Sequence, residues 1–337
     1  MNNNPAHNII SGFDVLKFLM ALIIVNIHAR VIGESQGTFL NEPCSYLNAL
    51  AVPTFFVLSS YFFFKKTRVL KNTNGGGTLL HYEVRLLKLY CFWIIILSPV
   101  ILFGWHKEYL NFSWITPLLF IRNFFFVSQF GASWFFGALI VGVPIVYVLT
   151  KVFNDKLVWV IPFIVYVYVF MKIDDKAIFD WYEANITPPK LSFPAGLLWI
   201  TIGYLLSGNI LDRLMRTCPV LLSTLLFVLS FVLGSIFNDY DYLFRIISVL
   251  SLIFIAYHIK VDNISVCRRL RTYSIHFFCI HYSVMWVLEL RVLNHISFIH
   301  EQRLVLYVAT ILICWAASET IIRLRDHKGW QWLRWSS

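Results

Sequence analysis

The sequence predicts an all-α membrane protein: a polytopic transmembrane helical bundle of about ten spans enclosing a central pore or cavity. Three observations carry the prediction. Of the 337 residues 58% are hydrophobic and only 14% are charged, where a soluble domain carries about 25% charge. The apolar residues are gathered into repeated runs near the length that a hydrocarbon core of about 30 Å requires. The runs lack the alternation of barrel strands, and lipid offers a backbone no hydrogen-bond partners, so they must be helical.

Span one, 13–32, contains "KFLMALIIVNIHA". It is not a cleaved signal peptide, because "MNNNPAHNII" has no basic segment and no small-residue cleavage site follows. Span two, 46–64, is aromatic-rich ("PTFFVLSSYFFF") and runs into Lys65 and Lys66; span three is 86–103. The apolar stretch 114–130 is interrupted by Pro117, Arg122 and Asn123 and reads as a membrane-surface or re-entrant segment. Spans four (134–149), five (157–171) and six (193–207) follow, with five and six short. In span six, Gly196 and Gly203 allow close helix approach. Spans seven (219–237), eight (242–258), nine (273–290) and ten (304–322) complete the set, and 323–337 is a tail. All belong to one domain, 1–337.

Basic residues give the orientation. Lys65, Lys66, Arg68, Lys71, Arg85 and Lys88 lie around the connection after span two, Lys260, Arg268, Arg269 and Arg271 after span eight, and Arg323, Arg325, Lys328 and Arg334 in the tail. The intervening connections are poor in cations. The positive-inside rule therefore puts both termini in the cytoplasm of a multi-pass plasma (bacterial inner) membrane protein. The net charge of +10 is accounted for by these loops, which meet anionic membrane lipids; no nucleic-acid partner is expected. The tail "GWQWLRW" reads as an interfacial anchor. The six cysteines form no CxxC, so no disulfide and no metal site is expected. "NTNGGGT" at 72–78 reads as a linker rather than a phosphate cradle.

Ionisable residues at membrane depth are costly and mark candidate sites. Lys17 and His28 are eleven positions apart, which on a helix puts them on one face about 16 Å apart. Ser11 and Asp14 have capping-box spacing, so Asp14 reads either as a helix-capping residue or as part of a site. Lys17 reads either as a snorkelling anchor or as a binding cation. Ser59, Ser60 and Tyr61 lie in span two, Ser133 opens span four, and Ser274, His276 and His281 lie in span nine. His281, near mid-membrane, is the stronger histidine; His276 lies nearer the cytoplasmic end and reads as packing or as meeting headgroups.

The ordered set "DVLKFLMALIIVNIH", "VPTFFVLSSYFF", "SWFFGALI", "GLLWITIGYLL" and "YSIHFFCIH" resembles the acyltransferase-3 family of integral membrane acyltransferases over nearly the whole chain. The family's first helix has Asp-x-x-Arg and then, after ten residues, His; here these fall on Asp14, Lys17 and His28. Its Phe-Phe-x-x-Ser-Gly-Tyr falls on Phe55, Phe56, Ser59, Ser60 and Tyr61, and its late histidine on His281. Lys17 stands where Arg is usual and Ser60 where Gly is usual.

The resemblance implies transfer of an acyl group, acetyl in the usual case, from cytoplasmic acyl-CoA to a hydroxyl or amine of a cell-surface glycan or its lipid-linked precursor. Acetyl-CoA is then a donor substrate, and no cofactor is bound. His28 is the expected general base or nucleophile, with His281 the second catalytic candidate. Lys17, Arg85 and Lys88 are the donor-binding candidates, since CoA is polyanionic. Asp14, Ser59, Tyr61 and Ser133 are supporting candidates; the hydroxyls of Ser59, Tyr61 and Ser133 would bond the acceptor or an oxyanion, or simply bond between helices. The alternative is a multi-pass transporter or flippase of a glycan or lipid, which would show inverted repeats.

Overall fold

The computed structural model describes residues 10–31, 41–69, 75–109, 115–171, 177–291 and 303–337. Among these residues it contains α-helices and short 3-10 turns and no strand. In chain order the first helices are α1 (Ser11–Ala29), α2 (Asn41–Ala49), α3 (Ala51–Val69), α4 (Gly75–Ile96), α5 (Ser98–Tyr109), α6 (Thr116–Phe125), α7 (Trp134–Val152) and α8 (Val160–Phe170). They are followed by α9 (Ala177–Asn185), α10 (Phe193–Leu206), α11 (Asn209–Thr217), α12 (Val220–Ile236), α13 (Asp241–His258), α14 (Ile264–Arg291) and α15 (Arg303–Leu324).

Eight of the ten expected spans fall on a single helix, whereas span two covers α2 and α3 and span three covers α4 and α5. Five stretches are long and apolar enough to cross a membrane: Ser11–Ala29, Asn41–Val69, Gly131–Val152, Asp241–His258 and Arg303–Leu324. A sixth is obtained only by joining α4 to α5. Expected spans five, six and seven are helices of 11, 14 and 17 residues, short of the roughly 20 that cross a bilayer unaided. Span nine is the 28-residue α14, whose apolar content is diluted by arginines and histidines. Span three is not straight. Its two halves meet at 69° across Leu97, where Pro99 has no N–H to give and its ring crowds the carbonyl four residues back.

The segment 114–130 contributes α6, a ten-residue helix too short to span and packed on α7. Of the expected linker at 72–78, residues 72–74 lie outside the described residues, and α4 already begins at Gly75.

The bundle is organised around α1, which packs against α14, α13, α3 and α15. α1 and α14 run parallel, Asp14 pairing with Arg271 near their starts and His28 meeting His281 towards their ends. A second tight pair is α3 with α10. A methyl group at Gly203 would lie 2.0 Å from Ser60 Oγ and 2.5 Å from the Val57 carbonyl oxygen, so glycine is what lets the two backbones meet there. Ser60 donates to its own helix, to the carbonyls of Phe56 at 2.7 Å and Val57 at 3.1 Å. The 3-10 turn Gln331–Ser336 folds back onto the bundle: Trp93 Nε1 donates to the Ser336 carbonyl at 3.2 Å, and Leu333 and Ser336 are buried. Trp330, Trp332 and Trp335 stay exposed.

Candidate active site

α1 places His28 in its last turn, and the chain leaves the helix at Arg30, whose φ of 54° is left-handed and whose N–H bonds the Asn26 carbonyl at 2.8 Å. The His28 ring faces two side chains of α14. His281 lies 5.1 Å away between ring centroids at a 40° tilt, and Tyr282 lies 5.1 Å away, edge-on at 85°. His281 is fully buried, and its Nδ1 is 2.7 Å from the Phe277 carbonyl oxygen. A carbonyl only accepts, so Nδ1 carries the proton and Nε2 presents a lone pair. That Nε2 has no hydrogen-bond partner among the described residues. A half-buried imidazole facing a buried one with an unused acceptor is an arrangement suited to proton transfer.

The wall behind Tyr282 comes from the turn before α7. Gly131 has φ of +39°, and a methyl there would lie 2.5 Å from Tyr282 Cβ. Ser133 builds this turn: its Oγ accepts from the backbone N–H groups of Gln129 at 2.9 Å and Phe130 at 3.0 Å, and meets Ser128 Oγ at 2.9 Å and Tyr90 OH at 3.3 Å. Ser133 is thus engaged in holding the turn rather than in facing His28.

The other end of α1 is charged. Lys17 Nζ sits 4.9 Å from the centre of the Phe62 ring and within electrostatic range of Asp14, Arg271 and Arg85. Of the other donor-binding candidates, Arg85 acts on Lys17 through its charge, and Lys88 follows one turn later on α4. It lies 5.7 Å over the Trp335 ring, beside a cavity of about 320 Å³ at the edge of α4, lined by Val84, Leu87, Cys91, Phe92 and Trp332 among others. His28 and His281 take no part in that cavity.

One reading of a single residue is corrected, and three other residues are placed. Asp14 does not form a capping box. Ser11 Oγ instead donates to the Ile259 carbonyl and accepts from the Val261 N–H, and α1 has no side-chain cap. The Asp14 carboxylate, 1% exposed, takes two hydrogen bonds from Arg271, Nε to Oδ1 at 2.9 Å and Nη2 to Oδ2 at 2.8 Å. Tyr61 is not near His28: its ring packs edge-on to Phe13 at 5.6 Å, and its hydroxyl accepts from Lys65 Nζ at 2.6 Å. From Phe13 to His28 is about 22 Å of helix. His276 does pack, against Trp93 at 5.5 Å, but it also bonds Ser336 Oγ at 3.0 Å through Nε2. Ser59 is half-buried on α3.

Sequence reasoning missed Arg271, Tyr282 and Gly131. Arg271 counted only as one of a basic run. Tyr282 follows His281 directly, and its neighbour could have drawn attention to it. Gly131 carried no local signal.

With this geometry in hand, the family assignment can be made. The family model for the acyltransferase-3 "Acyltransferase domain" matches residues 10–319, and the chain belongs to that family. It is an integral membrane acyltransferase, and that class displaces the transporter alternative. No curated protein and no solved structure matches the chain.

Proposed function

We propose that the protein moves an acyl group, acetyl in the simplest case, from cytoplasmic acyl-CoA to a hydroxyl or amine of a cell-surface glycan or its lipid-linked precursor. The observation that carries this reading is the opposed His28–His281 pair at one end of a helix whose other end holds Lys17, within electrostatic range of Arg85. His28 takes the proton from the acceptor hydroxyl as that oxygen attacks the thioester carbonyl. The carbon–sulfur bond then breaks, and the proton passes to the departing thiolate to give free CoA and the acyl ester. His281, held in one tautomer by the Phe277 carbonyl, has an unused Nε2 lone pair towards which an N–H of His28 can turn during the reaction. Such a bond would leave the second nitrogen of His28 as the base and stabilise the imidazolium when it forms. Lys17 and Arg85 attract the phosphates of the donor, and Asp14 and Arg271 neutralise one another beside them. The basic connections support a cytoplasmic donor end.

The test is release of CoA thiol from acetyl-CoA by the purified protein with a glycan acceptor. His28→Ala should lower kcat about 10²–10⁴-fold, the usual worth of a positioned acid–base group, while the protein remains monodisperse. Turnover near the parent level in that variant overturns the mechanism.

A further inference from the structure

We propose that Arg271 is a positioning residue for the reaction, a clamp that fixes the longitudinal register of α14 against α1 so that His281 arrives opposite His28. The proposal rests on the reading of His28 as the reacting group.

The two helices carry the two imidazoles and lie side by side. The ring contacts between the clamp and the imidazole pair are apolar: Phe18 meets Tyr273 at 6.1 Å and Phe277 at 5.6 Å. Such contacts are non-directional, and packed helices can slide past one another by up to a turn. The Asp14–Arg271 pair is different in kind. Two N–H groups of a planar fork meet two oxygens of a carboxylate, at 2.9 Å and 2.8 Å, which sets angle as well as distance. The Asp14 carboxylate is 1% exposed while the Arg271 side chain is 47% exposed, so a slip of the helix would leave a buried carboxylate without its partner, at a cost that opposes sliding. Fixing register is the best-attested use of buried polar groups. Of the run Arg268, Arg269 and Arg271, Arg269 makes only a longer contact, 3.7 Å to Glu319 on α15.

The spacing fits the role. Asp14 to His28 is about 21 Å along α1, and Arg271 to His281 is about 15 Å along α14. An extended arginine leaning toward the start of its helix spans the difference. Lysine, with one point charge and no fork, would hold the carboxylate without fixing the angle.

The experiment reads register directly and kinetics beside it. Spin labels at Leu19 and Val287, both exposed, form a diagonal across the helix pair in a background freed of native cysteines. Asp14→Asn and Arg271→Ala should broaden or shift the label distance by up to about one turn, near 5 Å. They should lower kcat about tenfold while leaving the donor KM within about threefold, the pattern of a lost transition-state contact. The exchanged pair Asp14→Arg with Arg271→Asp should recover the parent distance and part of kcat. Arg271→Lys, which keeps the charge and is the milder change, should fall between. Unchanged distances in the single variants and in Arg271→Lys overturn the clamp. So does a raised donor KM with kcat intact, which would make Arg271 a donor contact. Should His28→Ala prove active, the mechanism falls but the label distances still decide the clamp.

Discussion

Lys17 shows how far one residue's role follows from its surroundings. A cation one turn into a span can snorkel to the headgroups, but here it lies over Phe62 and within reach of Arg85 and the Asp14–Arg271 pair. A binding role predicts a kinetic signature. Lys17→Ala should raise the donor KM more than it lowers kcat; Lys17→Arg should keep most activity; Lys17→Glu should be worse than Ala, because a carboxylate repels CoA. Initial rates against acetyl-CoA at low and high salt check this, since the attraction is screened by salt. Equal donor KM values in all three would reduce Lys17 to an anchor. At this scale the sequence was readable where chemistry lies within one helix, as with Lys17 and His28. It was unreadable where the partner comes from elsewhere. The spacing of Ser11 and Asp14 suggested a cap because local spacing carries no information about Arg271, 257 positions away. The place of Tyr61 was hidden for the same reason: its depth in α3 relative to His28 depends on how two helices are docked.

Among the elements, the α3–α10 contact makes the sharpest claim. Ser60 occupies a position where the family usually has glycine, and Gly203 on the facing helix leaves room for its hydroxyl. Gly203→Ala should destabilise the protein in detergent, since a methyl 2.0 Å from Ser60 Oγ and 2.5 Å from the Val57 carbonyl forces the helices apart; overpacking of this kind costs about 1–3 kcal/mol. Ser60→Gly in the same chain should restore part of the loss and not all, because the carbonyl remains. Thermal unfolding of the two variants measures it, and no rescue at all would mean the serine is not the obstacle. That Gly196 and Gly203 permit close approach was legible in the sequence. The break of span three was also written there, in Pro99, but an apolar window averages over a proline and reads through it. The count of ten spans rests on apolar content more than on length. Segments of 11 and 14 residues are apolar enough to register as spans, while their length depends on packing that a window cannot see.

For the whole molecule, orientation is the property to test, and the structure changes which cysteines can report it. Cys267, Cys279 and Cys314 are buried, whereas Cys44 and Cys218 are partly accessible. Cys44 should react with an impermeant thiol reagent on intact cells, and Cys218 only after permeabilisation. The reverse pattern would put Lys17 on the side away from cytoplasmic acyl-CoA and remove the donor end of the mechanism. All-α architecture and membrane residence were legible from composition and run length, because the bilayer leaves so few alternatives. The pairing of α1 with α14 was not, because it is a matter of topology between sequence-distant helices.

That pairing has a consequence for how the protein is made. Asp14 enters the bilayer with the first helix, and the cation that neutralises it belongs to a helix 257 residues later in synthesis. Until α14 inserts, the carboxylate must stay protonated or linger at the water interface, since an unpaired charge in lipid is expensive. Contacts of such long sequence separation form late and slowly. A chain stalled or cleaved before α14 would thus carry its first imidazole without the second and an acid without its base. It would be catalytically silent, and its unpaired carboxylate would distinguish it from the finished enzyme.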